Sequence, residues 1–204
     1  MAGMRRALLA AGVTALLIPA CAGGTGRPMS RYYDPSGLFA IDLPAEDVVS
    51  PVPSETGDAA GQPVLLGGVQ AAPQPPESGT TFGVTATQQD QTLYFVFVYD
   101  APQFSSTSDL VAFVSTIGGV DLRVERPATV GGRAGRLVVT DHDNESGPFS
   151  VASGFLLEGN VAYWIAALFP QGDWDREEED FTRILESFRT QVPAGINAFP
   201  VQVA

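Results

Sequence analysis

The pattern of apolar and polar positions is clearest in residues 161–188, VAYWIAALFPQGDWDREEEDFTRILESF. Val161, Tyr163, Ile165, Ala167 and Phe169 share one face of a period-2 strand, and Ala162, Trp164, Ala166 and Leu168 share the other. Neither face carries a charge, so protein should cover the strand on both sides. Pro170 and Gly172 stop it. Asp173 or Asp175 then caps a helix whose Phe181, Ile184, Leu185 and Phe188 recur at i, i+3, i+4, i+7 and make one apolar stripe. The acidic run Glu177, Glu178, Glu179, Asp180 is expected to form a solvated first turn matched to the helix dipole, with Arg183 and Arg189 toward the other end.

The rest of the chain repeats these two patterns. Residues 38–43 alternate as a strand ended by Pro44. Residues 45–79 are crowded with Pro and Gly; Val64-Leu65-Leu66 offers a short strand, and 71–78 (AAPQPPES) reads as a loop. Residues 81–88 and 92–99 read as hairpin arms turning at Gln89-Asp90-Gln91, the second arm apolar on both faces. Residues 106–117 form the other helix, capped by Ser or Thr, striped by Leu110, Phe113, Val114 and Ile117, and ended by Gly118-Gly119. Residues 120–126 and 134–141 are strands joined through Val130-Gly131-Gly132-Arg133. Residues 149–158 pair with 161–169 across Gly159-Asn160, a loop length suited to a tight hairpin. The order predicts an α+β domain, a mainly antiparallel sheet packed by two or more helices.

The N-terminus follows neither pattern. Arg5 and Arg6 precede an apolar stretch, 7–20, that is shorter than the ~20 residues a membrane-spanning helix needs. It ends in Leu17-Ile18-Pro19-Ala20-Cys21, which resembles a bacterial lipoprotein signal peptide: a branched aliphatic, a small residue, then the cysteine. The resemblance implies removal of residues 1–20 and acylation (palmitate or a like chain) of the Cys21 sulfur and the new amino group. A single chain would anchor only marginally, at ~0.8 kcal/mol per buried CH2. The alternative is an ordinary secretory signal with a chance cysteine. Either way the address is extracytoplasmic; the lipoprotein reading adds attachment to the bacterial cell membrane, or the outer membrane in a diderm. Residues 21–30 then form the lipidated Cys21 and a flexible tether of small residues, 31–190 a single globular domain, and 191–204 a tail. The tail carries no charge and is broken by Pro193, Gly195 and Pro200; it is expected to lie outside the core.

Composition narrows the chemistry. Cys21 is the sole cysteine, so the fold has no internal disulfide and rests on its core. The formal charge is −12, and removing Arg5 and Arg6 with the signal makes it −14. An acidic chain without a basic patch argues against nucleic acid and against anionic lipid headgroups as partners. All 11 basic residues are arginine. Without lysine neither a P-loop nor a Ser-x-x-Lys site exists, and Gly-x-Ser-x-Gly is absent too.

His142 is the only histidine, which rules out a multi-histidine metal cluster within one chain. It lies in Asp141-His142-Asp143-Asn144-Glu145-Ser146-Gly147, expected to be a polar loop between strands. Catalysis through a Ser-His-Asp arrangement there is arithmetically open, but no nucleophile elbow accompanies it. Asp141, Asp143, Asn144 and Glu145 also supply hard oxygen ligands suited to Ca2+, though the spacing misses the EF-hand pattern. Tyr94, Phe95, Phe97, Tyr163 and Trp164 cluster on the proposed central strands, as core or as the wall of a ligand pocket. Tyr32-Tyr33 closes the core or serves as a surface anchor. The stretch 49–79 is the expected place for specificity, since so long a loop in a compact domain is functional or disordered.

The succession of LFAIDLP, a helix DLVAFVSTI, the turn Val130-Gly131-Gly132-Arg133-Ala134-Gly135, a strand with Tyr163-Trp164 and a closing ILESFR helix is similar to the PsbP-like domain, in particular to LpqN-type bacterial lipoproteins. The resemblance implies an α/β/α sandwich acting as an accessory protein-binding module, with no catalytic residue and no cofactor to carry over. The expected function is therefore a lipid-anchored, non-catalytic protein- or ligand-binding module of the envelope. The alternatives are an envelope hydrolase using His142 and a weak Ca2+-binding lipoprotein.

Overall fold

The computed structural model describes residues 26–52, 54, 63–72, 92–115, 121–144 and 147–190. The doubly apolar strand becomes β9 (Val161–Pro170), and both its faces are covered as its pattern requires. It lies between β5 (Leu93–Asp100) and β8 (Gly147–Glu158) in a seven-stranded, wholly antiparallel sheet. The sheet continues from β5 through β4 (Val64–Ala72) to the edge strand β3 (Val48–Val52). On the other side it continues from β8 through β7 (Arg133–Asn144) to the edge strand β6 (Asp121–Val130). A separate two-stranded sheet pairs β1 (Met29–Tyr33) with β2 (Ala40–Pro44).

The two helices take opposite faces. Helix α2 (Trp174–Ser187) lays Phe181, Ile184 and Leu185 on the face formed by Tyr94, Val96 and Val98 of β5 and Tyr163, Ile165 and Ala167 of β9. Helix α1 (Thr107–Ser115) lays Leu110 and Val111 on the other face, against Val138, Phe155 and Ala162. The fold is α+β, helix–sheet–helix. Ser106 Oγ accepts the Asp109 amide (3.1 Å) and Asp109 Oδ2 accepts the Ser105 amide (3.1 Å), so the start of α1 is capped from both directions.

The end of α2 is where the layers lock. Phe188 is fully buried, stacked on Phe39 at 5.9 Å and set edge-on to Tyr163 at 5.3 Å. Ala40 and Arg189 exchange backbone hydrogen bonds of 2.8 Å, and Ser187 Oγ accepts the Asp42 amide at 2.8 Å, tying the small sheet to the helix. From the other side the β6–β7 turn reaches in, with the Gly131 amide donating to the Leu185 carbonyl at 2.8 Å. Gly131 has φ +59°, and a Cβ there would collide with the Phe188 carbonyl oxygen.

Several expectations change. Residues 49–79 are not one loop: β3, which starts at Val48, and β4 pair antiparallel, and Ala71 and Ala72, expected in a loop, are buried in β4; 55–62 and 73–79 lie outside the described residues. The prolines and glycines that hid these strands sit where strands tolerate them, Pro51 on the edge strand and Gly67 at a bulge. β5 is bonded on both sides, by β4 and β9; residues 81–88, expected as its hairpin partner, lie outside the described residues. The domain takes in residues before Arg31, since Arg27 is docked and β1 starts at Met29. Residues 1–25, with the signal and Cys21, and the 191–204 tail also lie outside the described residues.

Candidate functional site

On the α1 side of the sheet is a cavity of about 90 Å³. β5 and the residue after it supply Tyr99 and Ala101, β8 supplies Phe155, β9 supplies Ala162 and Trp164, and α1 supplies Leu110, Phe113 and Val114. The lining is almost wholly apolar because every strand here is apolar on its α1-facing side as well. Trp164 keeps its one polar atom satisfied within the fold: Nε1 donates to Ser153 Oγ at 3.0 Å. That bond, with ring contacts to Phe97 (5.4 Å) and Phe155 (6.0 Å), sets the indole as a rigid wall. Phe104 and Phe113 meet at 5.3 Å on the helix side.

The five aromatics grouped by the sequence pattern divide between the two faces. Trp164 lines the cavity. Tyr94 and Tyr163 belong to the core under α2, while Phe95 and Phe97 stack at 5.8 Å on the α1 side of β5. Alternation alone puts Tyr163 and Trp164 on opposite faces; the register adds that Phe97 lies opposite Trp164. Tyr32 is half-buried, packs on Phe39 at 6.1 Å and closes that end of the core; burial, then Asp34, pushes its phenol up to about 12.

On the α2 face is a cluster of charged groups that the sequence reading missed. Glu177 and Asp180 are not a solvated first turn; they are 5% and 7% exposed. Arg27 Nη2 lies 3.0 Å from Glu177 Oε2 and its Nε 3.1 Å from Asp180 Oδ2, with the guanidinium 5.4 Å over the Tyr94 ring and Nη2 also bonded to the Tyr94 hydroxyl. Arg176 and Arg183 flank the pair on the solvent side, each 3.0–3.1 Å from a carboxylate oxygen. A signal for this was available: stepping the α2 stripe back from Phe181 by four and seven positions lands on Glu177 and Trp174, both buried.

Burial alone would lower the Arg27 pKa; Tyr94, Asp180 and Glu177 outweigh it and raise it. Burial pushes the Tyr94 phenol up, with Arg27 opposing. Asp47 stands beside this group with both carboxylate oxygens buried and without a hydrogen-bond partner. Burial pushes it up to about 6, Arg27 working against the shift and Glu46 with it.

His142 is not in a loop. It belongs to β7, paired with Phe149 of β8, and its ring lies flat on the Phe149 ring at 5.0 Å. The polar run 141–144 forms strand because residues 147–150 continue the ladder beside it. His142 Nε2 is 2.8 Å from Thr140 Oγ1, so a hydroxyl is in reach. Asp141, the adjacent carboxylate, points to the opposite face of the strand and accepts from Ser150 Oγ at 2.6 Å. Burial lowers the His142 pKa, Asp141 opposing. Among the described residues no three His, Cys, Asp or Glu side chains converge to hold a metal ion. Of the proposed Ca2+ ligands, Asp141 is committed to Ser150 and Glu145 lies outside the described residues.

No protein-family model matches the chain, and no curated protein matches it. Among solved structures it is similar to LpqN of Mycobacterium tuberculosis, described as involved in cell envelope biogenesis (15% identity, 81% of this chain and 91% of that one, TM-score 0.45). It is also similar to cyanobacterial PsbP from Synechocystis (12% identity, 82% and 96%, TM-score 0.45). A third neighbour is the Ran-binding protein Mog1p of Saccharomyces cerevisiae (6% identity, 81% and 96%, TM-score 0.46). At these identities nothing those proteins bind passes to this chain.

Proposed function

We propose that this chain is a lipid-anchored, non-catalytic binding module on the outer face of a bacterial membrane, acylated at Cys21. Its partner is another envelope protein, which places an apolar side chain in the α1-side cavity. The observation that carries the binding half is the cavity. Its rim of Tyr99, Phe104, Phe113 and Trp164 is only partly buried, while its floor of Ala101, Leu110, Phe155 and Ala162 is buried. Its size favours a side chain over a lipid or cofactor. A dry cavity of about 150 Å³ takes a benzene, and about 90 Å³ suits a single aliphatic side chain of a partner. Buried apolar anchors of this kind dominate protein–protein affinity.

The anchoring half rests on the basic, apolar and Ile18-Pro19-Ala20-Cys21 succession. Among the described residues no helix is long and apolar enough to cross a membrane. The non-catalytic half is supported by where the titratable groups sit: Glu177 and Asp180 are engaged with Arg27, and His142 lies flat on Phe149 with Asp141 turned away.

The anchor is tested by metabolic labelling with an alkyne fatty acid, followed by fractionation. The natural chain should be labelled and membrane-bound, and Cys21→Ala neither. Membrane retention of Cys21→Ala through detergent-free washing would refute acylation as the means of attachment.

A further inference from the structure

The N-terminal arm does not leave the domain freely. Residues 26–28 are held from several sides: the Arg27 side chain by Glu177, Asp180 and Tyr94, the Arg27 carbonyl by Arg183 Nη1 at 3.3 Å, and the Pro28 carbonyl by the Ala45 amide at 2.9 Å. Gly26 lies so close to α2 that a Cβ on it would collide with Arg183 and Asp180. Six residue steps separate Arg27 from Cys21. Whatever path they take, they span at most about 22 Å, at ~3.3–3.6 Å per residue.

We infer that Arg27 is a latch that holds the domain close to the bilayer in one orientation, with its α2 side toward the lipid and its α1-side cavity turned away. This rests on acylation at Cys21. The latch and the cavity are on opposite faces of the same strand. Arg27 meets Tyr94, near the start of β5, on the α2 face. The cavity is bounded by Tyr99 and Ala101, at the far end of β5 and just past it, on the α1 face. Five residues of strand put the two about 17 Å apart along the sheet, in addition to its thickness. Without the latch, the free arm from Cys21 would run on to Pro28, whose carbonyl the Ala45 amide still holds, and the arm would no longer be tied to α2. With it, the cavity is addressed to a partner standing off the membrane. The burial of Glu177 and Asp180 has a use in this arrangement: an exposed pair would hold an arginine only weakly against solvent.

The experiment uses the full acylated chain, reconstituted in vesicles whose headgroups carry an energy-transfer acceptor. A donor is placed at Glu46→Cys, beside the latch, or at Ser108→Cys, on the exposed side of α1; Cys21 is blocked by its acyl group. Transfer should be greater from position 46 than from 108. That difference should shrink in Arg27→Ala. It should be lost when roughly twenty Gly and Ser residues are inserted between Cys21 and Gly26, a length that removes the constraint of reach. The insertion leaves every described residue intact, so it tests the inference even if Arg27→Ala folds poorly. Equal or reversed transfer in the natural chain, or an undiminished difference in the insertion variant, overturns the latch. A natural chain that does not attach to vesicles overturns the acylation reading, and the inference with it.

Discussion

Arg27 Nε sits 3.1 Å from Asp180 Oδ2, joining two residues 153 positions apart in the chain. The contact closes the N-terminal arm onto α2 and balances two carboxylates that the helix buries. Removing the guanidinium leaves Glu177 and Asp180 without it in a site where their side chains are only 6% and 10% exposed. Breaking a buried pair from one side costs about 3–5 kcal/mol. Arg27 is itself 28% exposed, and Arg176 and Arg183 still pair with the two carboxylates, so less than that, about 1.5–3 kcal/mol, is expected for Arg27→Ala. Urea melts would measure it, and a loss under ~0.5 kcal/mol would mean the cluster is structurally idle.

Asp47 should make the protein respond to pH. Its folded pKa of about 6 lies above the ordinary 3.8, so the fold binds this proton more tightly than the unfolded chain does. The ionised carboxylate therefore costs stability above pH 6, and the cost fades as pH falls from about 6 toward 4. Asp47→Asn removes the charge and should raise the melting temperature at pH 7–8 and leave it unchanged near pH 4. An equal shift at both pH values would show that the buried charge is not the cause.

Phe188 is the seal between α2, the small sheet and the large one. Phe188→Ala should cost about 3–5 kcal/mol, as for other fully buried aromatics. A change within ~0.5 kcal/mol in denaturant melts would contradict the packing described for it.

Gly131 tests the same junction from the other side. Any side chain there must adopt φ +59° and push on the Phe188 carbonyl. Gly131→Ala should therefore destabilise by more than ~1 kcal/mol. The exposed Gly132→Ala, with a positive φ but no atom within 4 Å, should cost less. Equal costs for the two would mean that backbone strain alone is at work.

What the sequence disclosed depended on the range of the interactions. β9, α2 and the β8–β9 hairpin were legible because each is specified by its own residues: doubly apolar alternation, a four-residue stripe, a two-residue turn. Of β4 only the start, Val64-Leu65-Leu66, was legible, and β3 was not, because Pro51, Gly67 and Gly68 break the local pattern, and pairing of β3 with β4 and of β4 with β5 supplies what local preference withholds. His142 read as loop because 141–147 is polar; as part of a two-strand extension at the sheet's end it needs no apolar face. Glu177 and Asp180 read as solvated because the arginine that allows their burial lies 150 and 153 residues away. The cavity needed the register that brings Ala162 and Trp164 of β9 beside Phe155 of β8.

The most direct test of the binding-module account is a complementation assay in the source organism, with His142→Ala and Ala162→Leu at matched expression. Ala162→Leu adds three carbons into the cavity, and a small-to-large change of that kind should cost about 1–3 kcal/mol and leave the protein folded. The account predicts full activity for His142→Ala and loss of activity for Ala162→Leu, with both proteins folded and membrane-bound. Loss of activity in His142→Ala alone, with its fold preserved, would contradict the account and put an enzyme in its place.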